Sequence, residues 1–322
     1  MLIAAIVLAP LFVAVVTPAG EAPVTRPATQ PASMSAVRYG TEVVDGLEIF
    51  YREAGDPNRP TVVLLHGFPS SSHQYRELLA GLGDDYHVIA PDYPGFGDSS
   101  FPPPDRYEYT FDNLATTMNA FLEQRGIDRY VLGIHDYGAP IGFRIATRHP
   151  DRVAGLIVMN GNAYEEGIGV EGWGPVLDYW KGKTPELEET ITRNVFGLEG
   201  LKWQYTHGTR NPDGILPDNW NLDYLKLSRP GQHDVQLALF YDYQNNVKLY
   251  PEWQAYLREQ QPPVLVTWGV NDAFFPVQGA EGYQRDVDDI EVHLLDTGHF
   301  PLEEEAPFII ARARDFLSRI KF

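Results

Sequence analysis

The stretch VLGIHDYGAP, residues 131–140, decides the fold of this chain. Its apolar run is typical of a buried strand, and the run ends in His135 with the carboxylate of Asp136 directly behind it. Residues 137–148 then have the pattern of a helix, with Pro140 in the first turn, where a missing N–H costs little. The stretch therefore predicts a tight strand-to-helix turn with an aspartate at its centre.

A turn of this kind pushes its central side chain out of the sheet and requires small neighbours, which Gly138 and Ala139 supply. This is the geometry of the nucleophile elbow, usually written G-x-S-x-G. Here Asp136 stands at the position of the serine, and Ile134 stands two positions earlier in place of a glycine. The alternative is that Asp136 is only a helix N-cap, a common role of aspartate at the start of a helix.

Similar segments flank this turn on both sides. The runs TVVLLHG, YHVIAPD, VAGLIVMNG, PPVLVTWG and IEVHLLD are short and apolar, and most are separated by segments with helical spacing. Continuous apolar strands that alternate with helices indicate an α/β fold with a mostly parallel, doubly wound sheet. In addition, TEVVDGLEIFYREAG predicts a two-stranded hairpin that turns at Asp45-Gly46.

The domain organisation follows from where this alternation stops. Residues 163–262 are rich in tyrosine and tryptophan and mostly helical in pattern, so we predict that they are inserted into a core formed by 37–162 and 263–322. Residues 1–19 are almost wholly apolar and predict a signal peptide of an exported, periplasmic or secreted protein, and 20–36 predict a flexible linker. An uncleaved membrane anchor, or an apolar start from a wrongly assigned start codon in a cytoplasmic protein, is the alternative.

The composition excludes several classes of function. The chain has 322 residues, with 25 lysines and arginines against 44 aspartates and glutamates, which gives a formal net charge of −19. This charge repels phosphate backbones, so we predict no binding of nucleic acid. No cysteine is present, which excludes disulfides, thiolate metal sites and a cysteine nucleophile.

Three further stretches contain polar residues that follow predicted strands. HGFPSSS begins with His66 after an apolar strand, and the backbone N–H groups of Phe68 and Tyr137 are predicted to stabilise an oxyanion together. Asp272 in WGVNDAFFP and His299 in LLDTGHFP each follow a strand of their own, although a capping or turn role would also explain Asp272. In open α/β sheets the carboxyl ends of the strands form the ligand site.

The order Asp136, Asp272, His299 is the chain order of the α/β-hydrolase triad of nucleophile, acid and histidine. From about residue 38 to its end the sequence resembles this superfamily. The segments HGFP, PDYPGFGDS, HDYG, ND and GHF resemble its branch with an aspartate nucleophile, the epoxide hydrolases and haloalkane dehalogenases. The resemblance implies that residues 163–262 form a helical cap over the site.

The chemistry explains an aspartate at the elbow. A serine that attacks a saturated carbon leaves a stable ether, whereas a carboxylate leaves an ester that water can cleave. Asp136 is therefore predicted to attack an sp³ carbon, His299 to activate the hydrolytic water, and Asp272 to orient the imidazole. The predicted partners are water and a small apolar electrophile, with no metal and no organic cofactor.

The resemblance favours an epoxide over a halide. Tyr137 stands where dehalogenases typically have tryptophan, and Phe68 where they have asparagine or glutamate. Epoxide hydrolases typically use two cap tyrosines, for which Tyr243 in LFYDYQNN and Tyr179 in VLDYWKG are the candidates. The alternative candidates are Tyr164 and Tyr205.

Further residues concern the substrate pocket and an alternative reaction. His66, Tyr241 and Trp180 are predicted to line the substrate pocket. Haloalkane dehalogenation remains an alternative because a cap tryptophan can bind a halide, and a non-catalytic receptor is an alternative of another class. The cap tryptophans are Trp173, Trp180, Trp203, Trp220 and Trp253.

Overall fold

A computed structural model describes residues 35–322 of the chain. The predicted signal peptide, 1–19, and nearly all of the predicted linker, 20–36, lie outside the described residues. Within residues 35–322 eight strands form one sheet, in the spatial order β1-β2-β4-β3-β5-β6-β7-β8. The strands are β1 (Arg38–Val44), β2 (Leu47–Ala54), β3 (Thr61–Leu65), β4 (His87–Pro91), β5 (Tyr130–His135), β6 (Val153–Met159), β7 (Val264–Gly269) and β8 (Ile290–Leu295).

The sheet confirms the predicted mixture of strand directions. β1 and β2 form the predicted hairpin, and β2 also pairs antiparallel with β4, whereas every other neighbouring pair is parallel. The hairpin turns at Asp45 and Gly46, whose φ angles of 49° and 81° are those that a two-residue hairpin loop requires. The fold is therefore a mostly parallel α/β sheet with an antiparallel edge.

Helices cover both faces of the sheet. They are α1 (Arg76–Leu82), α2 (Phe111–Gln124), α3 (Gly138–Arg148), α4 (Val170–Lys181), α5 (Pro185–Asn194), α6 (Leu198–Thr206), α7 (Pro217–Leu227), α8 (Gln232–Asp242), α9 (Gln244–Gln260), α10 (Gln278–Asp286) and α11 (Leu302–Leu317). α1 and α11 pack on one face, and α2, α3 and α10 pack on the other. No helix among residues 35–322 is both long and apolar enough to cross a bilayer.

The predicted insertion lies between β6 and β7. The structure describes this part of the chain completely, and its α-helices run from α4 to α9 without a strand. The cluster of buried apolar side chains that α2 and α3 share with the sheet continues into these helices through Trp173, Tyr243 and Trp253. The inserted helices and the sheet therefore share one apolar core.

The parallel strands carry the polar residues to one edge of the sheet. Phe68, Asp136, Asn160, Asp272 and His299 follow β3, β5, β6, β7 and β8, respectively. Because parallel strands end at the same edge, the loops that hold these residues are neighbours in space.

Gly138 allows α3 to begin directly against β3. A Cβ atom at this position would overlap the carbonyl oxygen of Leu65, a backbone atom that cannot move aside. We expect Gly138→Ala to lower the free energy of unfolding by about 1–3 kcal/mol, because overpacking shifts the strand or the helix. Urea unfolding would measure the change.

Gly174 in α4 provides the matched control, since a Cβ atom there would meet no atom within 4 Å. Gly174→Ala is expected to stay within about 1 kcal/mol of the parent protein. Equal effects of the two substitutions would contradict the proposed steric role of Gly138.

Candidate active site

Asp136 lies in the sharp turn between β5 and α3. Its φ angle is 47°, in the left-handed region that non-glycine residues rarely adopt, and only 5% of the residue is exposed. The Oδ1 atom accepts a hydrogen bond of 2.6 Å from the backbone N–H of Phe68. The N-cap position of α3 belongs to Tyr137, so the alternative that Asp136 is the N-cap is wrong.

The loop after β3 approaches this carboxylate very closely. A Cβ atom on Gly67 would overlap the Cβ and Oδ1 atoms of Asp136, so only a glycine fits there. This close approach brings the N–H of Phe68 within hydrogen-bonding distance. The N–H groups of Phe68 and Tyr137, which the sequence predicts as an oxyanion hole, both act on the Asp136 carboxylate.

His299 and Asp272 form a buried pair beside Asp136. The Nδ1 atom of His299 lies 2.8 Å from Oδ2 of Asp272, and both residues are buried. The backbone N–H of Phe274 donates to Oδ1 of Asp272 at 2.7 Å, a turn interaction that fixes the carboxylate. Asp272 therefore stabilises a turn, which is the alternative role that the sequence leaves open. It also holds the imidazole of His299 in place.

Asn160 is a site residue that the motifs do not single out. Its side chain donates to Oδ2 of Asp272 at 2.7 Å and accepts from the N–H of Gly269 at 3.0 Å. Its φ angle of 42° turns this side chain out of the end of β6. The available signal is its position, because Asn160 is a polar residue directly after the apolar run of a strand, as Asp136 is.

His135 is hydrogen-bonded to the loop that carries His299. Its Nε2 atom lies 2.8 Å from the carbonyl oxygen of His299, and the two rings are 4.7 Å apart. A carbonyl only accepts, so Nε2 carries the proton. Burial, together with the charge of His299, holds the pKa of His135 well below its ordinary value, which keeps the ring neutral.

The electrostatics of the triad depend on burial and on mutual attraction. Burial raises the pKa of Asp136 to about 6, although His299 and the N–H groups of Phe68 and Tyr137 oppose this shift. Burial also lowers the pKa of His299, but the charge of Asp272, its hydrogen bond and the charge of Asp136 outweigh this, so the net shift is upward. Burial and mutual attraction therefore raise the pKa of Asp136 and that of His299 above their ordinary values.

A cavity, termed the inner cavity below, opens onto Asp136 and His299. Its walls are largely apolar and come from both the core and the inserted helices. Trp173 contributes an indole Nε1–H that is buried and finds no acceptor within residues 35–322. The lining residues are Phe68, Asp136, Tyr137, Gly172, Trp173, Val195, Gln204, Phe240, Phe274 and His299.

Tyr243 lies just behind this cavity. Its ring centroid is 4.4 Å from that of Trp173 and 6.0 Å from that of Tyr137, both of which line the cavity. The hydroxyl of Tyr250 is close enough to affect the pKa of Tyr243, but the pair lacks hydrogen-bond geometry. Burial raises the pKa of Tyr243 well above its ordinary value, so its hydroxyl keeps its proton.

Tyr179 does not reach the site, which corrects its assignment as a donor to the leaving group. Its hydroxyl donates to Oε1 of Glu188 at 2.8 Å, on the neighbouring helix α5. The alternative candidates are likewise engaged elsewhere, since Tyr164 donates to Asp286 and Tyr205 to Asp223. The direction in which α4 and α6 face, which the sequence does not reveal, decides the contacts of Tyr179 and Tyr205.

The three predicted pocket residues also lie outside the lining of the inner cavity. His66 is buried and stacks on Tyr93 with a ring separation of 3.9 Å, and burial lowers its pKa to about 3. Tyr241 lies under the ammonium group of Lys183, 3.9 Å from the centre of its ring. The Nε1–H of Trp180 donates to the carbonyl of Phe240 at 2.8 Å. Each therefore has a packing role.

Comparison with known proteins agrees with this geometry. The family model described as alpha/beta hydrolase fold matches residues 60–306. The chain belongs to this family. The hydrolase is 42% identical over 279 residues to an uncharacterized hydrolase of Saccharomyces cerevisiae, which covers 86% of this chain and 94% of the yeast protein.

Two further relatives carry names of specific reactions. A cis-3-alkyl-4-alkyloxetan-2-one decarboxylase of Xanthomonas campestris is 28% identical over 306 residues, covering 86% of this chain and 95% of its own. Haloalkane dehalogenase 2 of Mycobacterium tuberculosis is 28% identical over 259 residues, covering 79% and 86%, respectively. Among solved structures, the epoxide hydrolase CorEH superimposes with a TM-score of 0.70 at 21% identity, covering 88% of the hydrolase and 99% of CorEH, a likeness of fold.

The charge states of Asp136 and His299 predict that the activity of the hydrolase falls at acid pH. Below a pH of about 6, Asp136 gains a proton and loses the charge that a nucleophilic carboxylate requires. His299, whose pKa is raised, gains a proton over the same fall in pH and no longer accepts one from water. Protonation of Asp136 alone leaves about a tenth of the molecules with a carboxylate at pH 5, so we expect kcat/KM at pH 5 to be no more than roughly a tenth of its value at pH 8.

Steady-state rates between pH 5 and 8 would measure this decrease. Thermal unfolding at each pH serves as the control for loss of structure. An activity that stays level over this range would contradict the assigned charge states.

Proposed function

We propose that the protein hydrolyses small apolar epoxides to diols through a covalent ester on Asp136. The observation that carries the proposal is a buried carboxylate at a nucleophile elbow, with the N–H of Phe68 at 2.6 Å from its Oδ1 atom. The paired His299 and Asp272 beside it support hydrolysis of the ester rather than binding alone. A non-catalytic receptor has no need of this arrangement.

The first step forms the ester. A carboxylate oxygen of Asp136 attacks a ring carbon of the epoxide, and the carbon–oxygen bond of the ring breaks with its electron pair on oxygen. This oxygen needs a proton, and Tyr243 is the proposed donor because its hydroxyl is buried, protonated and without a fixed acceptor within residues 35–322. The product of the step is a hydroxyalkyl ester of Asp136.

The second step returns the enzyme to its starting state. Neutral His299 takes a proton from water, the resulting hydroxide attacks the carbonyl carbon of the ester, and the N–H groups of Phe68 and Tyr137 stabilise the charge on the ester oxygen. The ester C–O bond then breaks, and the diol oxygen leaves with the proton from His299. The second proton of the water passes from the new Asp136 carboxyl group to the phenolate of Tyr243. Loss of the Asp136 charge in the ester removes one cause of the raised pKa of His299. The imidazole is therefore more often neutral at the moment when a base is required.

Haloalkane dehalogenation is the second candidate function, and one observation favours it. Trp173 lines the inner cavity, and its buried Nε1–H has no acceptor within residues 35–322. An N–H group suits a halide, which leaves without a proton. Tyr137 and Phe68 occupy the positions where dehalogenases typically have other donors. The hydroxyl of Tyr243 gives the epoxide reaction the stronger support.

Replacement of His299 should stop the reaction at the ester. In His299→Gln we expect ester hydrolysis to slow by about a thousandfold, because no base activates the water. Mass spectrometry after incubation with styrene oxide should show a peptide containing Asp136 that is heavier by one whole substrate. After incubation with 1-bromobutane, a dehalogenase would carry the butyl group alone.

Asp136→Asn/His299→Gln is the matched control and should gain no mass from either compound. Release of diol or bromide by the parent protein identifies the reaction that turns over. A parent protein that turns over substrate while His299→Gln never carries a label on Asp136 would refute the covalent mechanism.

The two tyrosines allow the leaving-group donor to be tested with one kind of substitution. Tyr243→Phe removes the proposed donor, so kcat for styrene oxide should fall by roughly a hundredfold. Tyr179→Phe removes a hydroxyl that donates to Glu188 outside the inner cavity, so kcat should stay within about twofold of the parent value. Equal losses in the two variants would argue against Tyr243 as the donor.

A further inference from the structure

A second cavity lies outside the inner cavity and is termed the vestibule here. It lies between α4, α5 and α6. Most of its wall is aromatic, aliphatic or glycine, and of its three polar members Glu171 and Asn194 are exposed and Gln204 is buried. The lining residues are Glu171, Gly172, Pro175, Asn194, Val195, Gly200, Trp203, Gln204 and Phe274.

The vestibule and the inner cavity share a wall. Gly172, Val195, Gln204 and Phe274 line both spaces, so they form a neck between the vestibule and the triad. Only glycine fits at 172, because a Cβ atom there would contact the ring and backbone of Phe274 too closely. A substrate bound at Asp136 therefore has a second space directly beside it for a substituent.

Gln204 is the buried polar residue of this neck. It is buried on α6, and its Nε2 donates to the carbonyl oxygen of Val195 at 3.0 Å. This single hydrogen bond ties the end of α5 to α6 across the neck. One neutral hydrogen bond is a weak restraint on the position of the glutamine side chain, which allows an apolar chain to pass beside it.

Trp203 gives the vestibule its apolar wall. The residue is 37% exposed, although its ring also contacts His207 and Phe274, at 4.4 and 5.7 Å between ring centroids. A tryptophan left this open at the rim of a cavity that leads to a catalytic triad offers a surface that an apolar group would cover.

The charge of the rim restricts the kind of substituent. Glu171 is the one titratable residue in the lining of the vestibule, and it is exposed. The chain as a whole carries a formal charge of −19. Both features disfavour a substituent that ends in a carboxylate or phosphate.

We propose that the vestibule binds an uncharged alkyl or aryl substituent of the substrate, with the electrophilic carbon at Asp136 and Trp203 as the residue that sets substituent length. The inference rests on the proposed function for the reaction, and it adds the substrate class: monosubstituted epoxides with an extended apolar chain. Passage through the neck between Gly172 and Gln204 connects the two parts of such a substrate.

A comparison of 1,2-epoxydecane with 1,2-epoxypropane tests this assignment. In the parent protein, kcat/KM should be higher for the long epoxide. Trp203→Ala should lower the ratio of kcat/KM for the long to the short epoxide by roughly tenfold, because only the long chain reaches the vestibule. Leu198→Ala is the matched control, since Leu198 lies on the same helix with the same exposure of 37% and lines neither cavity.

Leu198→Ala is expected to leave the ratio unchanged. An equal ratio in Trp203→Ala and the parent protein would overturn the assignment of the vestibule. The assignment would also be overturned if a carboxylate at the far end of the long chain raised kcat/KM, because the rim would then not disfavour charge.

Calorimetry with the diols separates this inference from the proposed reaction. Binding of 1,2-decanediol should be tighter than that of 1,2-propanediol, and Trp203→Ala should remove most of the difference. If no epoxide is turned over and this pattern is still seen, the vestibule stands and the proposed reaction fails. If epoxides are turned over but both diols bind equally well, the reaction stands and the vestibule is refuted.

Discussion

One constraint organises the molecule: the carboxyl group of Asp136 is held at the end of a buried strand, where only 5% of the residue is exposed. Taking a carboxylate out of water costs free energy, and burial raises its pKa to about 6. The N–H groups of Phe68 and Tyr137 and the imidazole of His299 offset this cost. These groups lie on separate loops, so the charge is tolerated only where the parallel sheet brings the loops together.

Backbone geometry supplies much of this arrangement. Asp136 and Asn160 end neighbouring strands, and both adopt left-handed φ angles, 47° and 42°, that cost free energy for non-glycine residues. The side chain of Asn160 is in turn fixed by the N–H of Gly269 and by Asp272, which also holds His299. Strain at the strand ends thus turns polar side chains out of the sheet, and the hydrogen bonds among them keep each in one orientation.

Local patterns in the sequence predict this edge of the sheet well. Apolar runs followed within a few residues by a polar side chain indicate buried parallel strands and single out Asp136, Asp272 and His299, which the structure brings together. The same signal is present at Asn160, but a neutral amide at a strand end does not by itself indicate chemistry. His135 is missed for a similar reason, because its partner is a backbone carbonyl 164 residues away.

The sequence by itself determined the α/β class, the order of the strands along the chain and the polar residues at their ends, because each depends on a short run of neighbouring residues. Only the tertiary structure decided which side chains of the inserted helices face the inner cavity. Trp173 faces it, whereas Tyr179 and Trp180 on the same helix bond to Glu188 and to the carbonyl of Phe240. Successive helical side chains differ by about 100° in direction, so the rotation of α4 against distant partners settles the choice.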